Sequence, residues 1–320
     1  METQNKLTLD PQMQEQLNQF KVEREKVQPY KEHPERLPTF MDFRVDFAFK
    51  YILGHRPILI KFINDVLPVQ VDDVEYLSNE IPVVSEKEKR ATFDVICTER
   101  ETGKKFLLEM QCRPDSDMND RLLYYGCSLV HNQIERGDEK YLLKPVYILC
   151  VANYNRLHTV PVPQGRFFFS YQFRETTVHD DRFTENLQFF FLELPRLRKV
   201  WDSLETNLER WCYLFENLSN FAEEPQDPVG FDDVFSVART GTLEEDGLEK
   251  YVTTMVLEYE KRVIGEYFHK EGYDKGKAEG LAEGKVEGIR LTAKNLRDLG
   301  QDMALIRQAT GLSEVEIRAL

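Results

Sequence analysis

Apolar positions set the order of elements along the chain. From Asp42 onward, Phe43, Phe47, Phe49, Ile52 and Leu53 recur at near-helical intervals, and residues 57–66 predict a second short helix. Val74, Tyr76, Leu77, Ile81, Val83 and Val84 predict a first strand within 72–85, and Glu86-Lys87-Glu88-Lys89-Arg90 reads as a charged turn behind it. Between 91 and 112, two runs rich in β-branched, aromatic and aliphatic residues flank Glu101-Thr102-Gly103, the pattern of a hairpin. Residues 118–136 carry Leu122, Leu123, Tyr125, Gly126, Leu129, Val130 and Ile134 on a 3.6-residue stripe, with Gly137 as a stop. The apolar run at 144–153, with Val146, Tyr147, Ile148, Leu149, Cys150, Val151 and Ala152, has strand length without alternation, as expected of a strand covered on both faces. Phe-rich segments at 167–174 and 187–194 predict further strands of the same sheet, with polar 176–184, including His179, Asp180 and Asp181, as a surface loop.

The pattern then turns helical. Trp201, Leu204, Leu208, Trp211, Leu214 and Leu218 predict an amphipathic helix over 199–221, followed by an acidic loop at 223–233 and a helix at 248–268. Gly272, Gly276, Gly280, Gly284 and Gly288 recur every fourth residue among Lys, Glu and Ala. At about 1 kcal/mol each against Ala inside a helix, five glycines predict a long helical tether of low stability. A period of four also drifts about 40° per step on a 3.6-residue helix, so it keeps no straight groove. Asp302 is placed to cap a helix at 303–310 that stops at Gly311, and Ser313 with Glu316 forms a capping box for a last helix. The pair looks like a helix-turn-helix, but its second member is too acidic and too short to read a major groove well. A protein-docking or dimerising tail is the reading it favours. The organisation expected is a mobile arm at 1–37, an α/β domain at 38–198, a helical extension at 199–270, a tether at 271–290 and a small helical tail at 291–320.

Composition narrows the class. The chain has 320 residues, 41% hydrophobic and 12% aromatic, enough to bury a full core. No run approaches the roughly 18 apolar residues of a membrane span, and the polar start resembles no signal peptide, so a cytoplasmic protein is expected. Five cysteines at 97, 112, 127, 150 and 212 form no Cys-x-x-Cys pair and read as small buried hydrophobes. The net charge of −14 argues against nucleic acid if taken whole. It is unevenly spread, however. Residues 46–174 hold 18 acids against 17 bases, while 175–260 hold 20 against 7.

Chemistry concentrates in the 91–112 hairpin. Side chains alternate along a strand, so Phe93, Val95 and Cys97 are expected on one face with Phe106, Leu108 and Met110. Asp94 then shares the opposite face with Glu109 and Gln111, and a two-residue loop sets it across from one or the other. Converging carboxylates repel unless a proton or cation lies between them. Magnesium or manganese suits such a set, with calcium a further candidate. A half-exposed hairpin whose solvent face carries acids is the alternative that the residues alone leave open. Asp46 and Lys50, four apart, share one face of the first helix; Arg121, Tyr125 and Gln133 project from the helix after the hairpin.

Asp94, the hairpin, and Glu109-Met110-Gln111 resemble the active-site signature of the PD-(D/E)XK nuclease superfamily, with Gln111 where the motif has Lys. Asp46-Phe47-Ala48-Phe49-Lys50, Arg121-Leu122-Leu123-Tyr124-Tyr125, Gln133 and Gly137 resemble its Rpn and transposase-like branch. The resemblance implies a restriction-endonuclease-like core, α-β-β-β-α-β, and a metal-dependent DNA endonuclease serving recombination or mobile elements. It implies that Asp94 and Glu109 hold magnesium with Asp46 completing the shell, and that Gln111 orients a water. Lys50 becomes a candidate for the missing cation, and Arg121, Tyr125 and Gln133 for contacts to phosphate, with Lys87, Lys89 and Arg90 nearby in the chain. Partners expected are DNA and, through the tail, a second copy or another protein. A catalytically silent adaptor with the same fold is the competing reading.

Overall fold

The computed structural model describes residues 29–30, 32–33, 36–78, 93–134, 137, 139–226 and 229–320, without the side chains of 259–276, 278, 279 and 282. Most of the expected N-terminal arm, the second half of the expected first strand and the turn with Lys87, Lys89 and Arg90 lie outside these residues. The chain divides into two compact units, residues 1–260 and 261–320.

The first unit is a six-stranded sheet with helices against both faces. Helices α1 (Asp46–Leu53) and α2 (Arg56–Val66) precede β1 (Val74–Tyr76) and the hairpin of β2 (Val95–Glu99) and β3 (Lys105–Gln111). Helix α3 (Met118–His131) leads to β4 (Val146–Ala152), and β5 (Phe168–Arg174) and β6 (Arg182–Glu193) complete the sheet. The strand order is β1-β2-β3-β4-β6-β5. Strands β3, β4 and β6 run parallel; the others pair antiparallel. Parallel neighbours and helices over both faces explain why all seven residues of β4 are buried. The helix, three strands, helix, strand order expected from the sequence is the order observed, and β5 and β6 extend the sheet as expected.

Two apolar layers hold this sheet. Val95, Cys97, Phe106, Leu108, Leu149 and Val151 face the layer that α1 and α2 cover. Helices α4 (Asn207–Asn217) and α5 (Asp232–Ala238) share that layer through Trp211, Phe215 and Phe235, so residues expected as a separate extension pack into the sheet's own core. Ile96, Leu107, Ile148, Cys150 and Phe191 face the other layer, closed by Met118, Leu122 and Leu129 of α3. Gly126 permits that closure, since a Cβ there would stand 2.7 Å from Leu187 and 2.8 Å from Ile148.

Several boundaries differ from expectation for local reasons. Asp42 does not begin a helix; its carboxylate accepts from the Arg44 backbone N–H and guanidinium, and α1 starts at Asp46. Helix α3 ends at His131, short of Gly137. The polar 176–184 segment is a tight turn, pinned by Glu175 accepting from Thr177, and β6 already begins at Arg182. The 199–221 stripe splits into a 3-10 turn, α4 and a second 3-10 turn, because Thr206 and Glu209 form a capping box that starts the helix at Asn207. Cys127 is exposed, unlike the buried Cys97, Cys150 and Cys212.

Helix α6 (Glu245–Asp298) is continuous through the glycine repeat. Its first turns belong to the first unit, where Tyr251, Val252 and Val256 are buried and the Tyr251 hydroxyl accepts from the Asp42 N–H. In the second unit, α7 (Met303–Thr310) and α8 (Glu314–Ala319) pack on the end of α6 through Ala293, Ile306 and Ile317. Gly311 takes the left-handed conformation at φ 73°, ending α7, and Ser313 with Glu316 makes the expected capping box. Asp302 stands at the cap position of α7 without a side-chain cap bond.

Candidate active site

The hairpin register brings the two central acids together. Val95 pairs with Leu108, so one further step sets Asp94 opposite Glu109. The loop has four residues rather than two, Arg100 to Gly103, with the Gly103 N–H donating to Glu99 O and Gly103 at φ +74°. Both lengths keep the same parity, so the acids share one face either way. Phe93 departs from the expected alternation: it lies ahead of the strand and packs edge-on against Tyr125, with ring centres 5.0 Å apart.

Glu109 sits in β3, 6% exposed, and its Oε1 has no hydrogen-bond partner among the described residues. Burial, and next to it the charge of Asp94, push its carboxyl up to about 8, against the opposing pull of Arg121, an Asp94 backbone N–H and Lys50. Asp94 is raised in the same direction, chiefly by burial, while the Met110 N–H it accepts at 2.8 Å and Lys50 oppose the rise. Two acids held above their ordinary range, one with an orphaned buried oxygen, make a place where a cation is better accommodated than two negative charges. Two carboxylates of this kind offer the oxygen ligands that magnesium or manganese takes. Among the described residues no cluster of three or more His, Cys, Asp or Glu side chains is placed to hold a metal ion. Asp46 is joined to the pair through Lys50 instead.

Lys50 comes from α1, which packs in the apolar layer against β2 and β3. Its Nζ lies 2.6 Å from Asp46 Oδ1 and 3.6 Å from Asp94 Oδ1. Burial works against its charge, but Asp46 and Asp94 outweigh it and raise the lysine, so an ammonium is held beside the acids. Gln111, at the end of β3, accepts through Oε1 from Arg121 Nη2 at 2.9 Å. An arginine only donates, so this bond leaves the Gln111 amide to act as a donor. Arg121 also donates to Asp115 at 2.9 Å, and its buried Nε has no partner among the described residues. Tyr125 is half-buried, with its phenol raised by burial first and by Glu109 next.

Gln133 is placed elsewhere. Its amide spans the Lys144 backbone, donating to the carbonyl at 3.1 Å and accepting from the N–H at 2.7 Å. That clasp sits at the entry to β3 and β4, since Lys105 pairs with Val146 while Glu109 pairs with Cys150. Four residues along a strand is roughly 13 Å. The structure therefore assembles Asp46, Lys50, Asp94, Glu109, Gln111, Arg121 and Tyr125, and leaves Gln133 at the opposite end of the strands. Sequence reading missed Asp115, which orients Arg121; its position six residues before Arg121, ahead of α3, was the available signal.

Among the described residues no helix is long and apolar enough to cross a membrane. Comparison with curated proteins and with solved structures gave no match. A family profile described as PD-(D/E)XK nuclease family transposase does match, over residues 43–264. That span runs from just before α1 into α6 and includes the whole sheet and every residue of the assembled site. The six-stranded sheet with flanking helices is consistent with the fold of that family, whose nucleases generally use divalent metals. The chain belongs to the PD-(D/E)XK nuclease family transposases.

Proposed function

We propose that this protein is a metal-dependent DNA endonuclease of recombination or mobile-element processing, of the Rpn type that its motifs resemble. The observation that carries the reading is the Asp94 and Glu109 pair, register-matched, buried and raised, with a partnerless Glu109 oxygen and an ammonium beside it. Asp94 and Glu109 would hold a divalent ion, magnesium by preference, which would supply Lewis-acid polarisation of the scissile phosphate and a water of lowered pKa. Asp46 adjoins that pair through its shared partner Lys50.

Lys50 takes over the charge that Gln111 does not carry. A neutral amide can orient a water or a phosphate oxygen by donation, but only an ammonium offsets the negative charge that develops during hydrolysis. Gln111, its oxygen committed to Arg121, offers N–H groups for that orientation. Arg121 braces the amide and adds positive charge where a phosphate would lie. Tyr125 keeps its proton, so its phenol serves as a donor at the same rim.

Supercoiled and linear DNA incubated with the purified chain and magnesium, manganese or calcium test the reading. Nicking or cutting that is lost in Asp94→Ala and in Glu109→Ala is the expected result. Cutting undiminished in both variants refutes the site. No cutting with any metal, together with no metal-induced shift in melting, supports the silent adaptor instead.

A further inference from the structure

Arginines of the first unit commonly end on carboxylates: Arg44 on Asp42, Arg100 on Asp73, Arg121 on Asp115 and Arg239 on Glu224. Arg156 and Arg166 are held differently. The Arg156 guanidinium lies over the Phe191 ring, 3.3 Å from its centre, and Nη2 donates to Asn119 Oδ1 at 3.0 Å. Arg166, exposed, lies over Phe169 at 4.9 Å. Aromatic faces and a neutral amide fix a guanidinium without cancelling its charge, and they leave most of its five N–H groups for another acceptor.

The buried carboxylate bonded to this segment already has its own partners. Glu193, fully buried at the end of β6, pairs with Arg196, accepts from the Arg156 backbone N–H at 3.3 Å and bonds His158 Nε2 at 2.7 Å. It anchors the segment behind β4, while the positive charges of Arg156 and Arg166 stay uncompensated among the described residues. Register places the strand positions that carry them. Gln111 pairs with Ala152 and Ala152 with Glu193, so these three positions lie side by side across three parallel strands, on the face that α3 covers. Two strand spacings amount to roughly 10 Å. The Asn153 N–H donates to Gln111 O at 2.9 Å, and Asn119 stands two residues before Arg121 in α3. Arg156, held over Phe191 of β6, thus stands two strand spacings from β3 and its Glu109, and Arg166, over Phe169 of β5, one strand further.

One strand of duplex DNA carries a phosphate every ~3.4 Å of axis, so offsets of two and three strand spacings, roughly 10 and 14 Å, span about three to four of them. The geometry points to Arg156 and Arg166 as the residues that hold the backbone of the DNA strand flanking the scissile phosphate. This inference rests on the nuclease reading for the site, yet binding can be measured without cleavage. Polarisation of a labelled duplex oligonucleotide is followed in EDTA over a series of salt concentrations, with wild type, Arg156→Gln, Arg166→Gln and the double variant, each checked for unchanged melting. Each arginine that neutralises one phosphate contributes about 0.9 to the slope of log K against log salt. The slope is expected to fall by about 0.9 in each single variant and about twice that in the double, while Arg239→Gln keeps the wild-type slope. The exposed Arg166 keeps the test valid if Arg156→Gln does not fold. An unchanged slope in Arg166→Gln overturns the inference, whether or not the variants carrying Arg156→Gln fold. Cleavage with an unchanged slope sinks only the arginine assignment; a reduced slope in a protein that cuts no DNA sinks only catalysis.

Discussion

Glu109→Gln exposes the energetic cost of the buried acid. The Glu109 carboxyl is lifted from 4.5 to about 8, by burial first and by Asp94 second. A raised folded-state pKa means that the folded chain keeps a proton which the unfolded chain has released. Its contribution to stability is whole below pH 4.5 and is lost as pH rises through about 8. At ~1.4 kcal/mol per pKa unit, the window corresponds to a loss on the order of 5 kcal/mol. Glutamine has nearly the same shape and cannot ionise, so the variant escapes that loss. Each kcal/mol moves Tm by roughly 2–4 °C in chains of 150–250 residues, which sets an expected gap of roughly 10–20 °C at pH 8.5 that closes near pH 5. Melting curves by circular dichroism between pH 5 and 9, in EDTA, measure it. Parallel pH profiles for the two proteins, or a glutamine variant that melts lower at pH 8.5, would refute the reasoning.

Two further expectations follow from single contacts. Lys50→Ala should lower single-turnover cleavage at least ~100-fold, the usual cost of removing one electrostatic stabiliser. Gln111→Lys in that background should recover part of the loss, and cutting at the wild-type rate in Lys50→Ala would remove Lys50 from the reaction. In the second unit, Gly280, Gly284 and Gly288 have open space where a Cβ would stand. Alanine at all three should therefore raise helix content and melting in the full chain, by about 1 kcal/mol per site. A lower helix signal would mean that these positions pack closely against something.

The sequence revealed the acid pair because strand alternation is strictly two-fold. Asp94 and Glu109 share a face at any even loop length, so the four-residue loop changed nothing that matters. Alternation failed only at Phe93, which precedes the strand and follows Tyr125 instead. Lys50 beside Asp94 could not be derived by spacing, since it depends on how α1 packs against the sheet. The same holds for the Arg121 bond to Gln111 and for Glu193 meeting His158 across 35 residues, both set by tertiary packing. Gln133 shows the converse: a polar residue at a suggestive position that the backbone of Lys144 consumes. The start of α4 was legible, as Thr206 and Glu209 spell a capping box, but the apolar stripe running from Trp201 masked it. Helix α5 was also within reach, through Val234, Phe235 and Ala238 at helical spacing.

The central claim is that Asp94 and Glu109 together take up a divalent cation in place of a proton. Calorimetric titration of Mn2+ into the wild-type protein at pH 7, repeated in two buffers of different ionisation enthalpy, tests it directly. With Glu109 titrating at about 8, binding should release close to one proton per ion. Affinity should collapse in both Asp94→Asn and Glu109→Gln. Binding that releases no proton, or that is equally tight in both variants, would contradict the account.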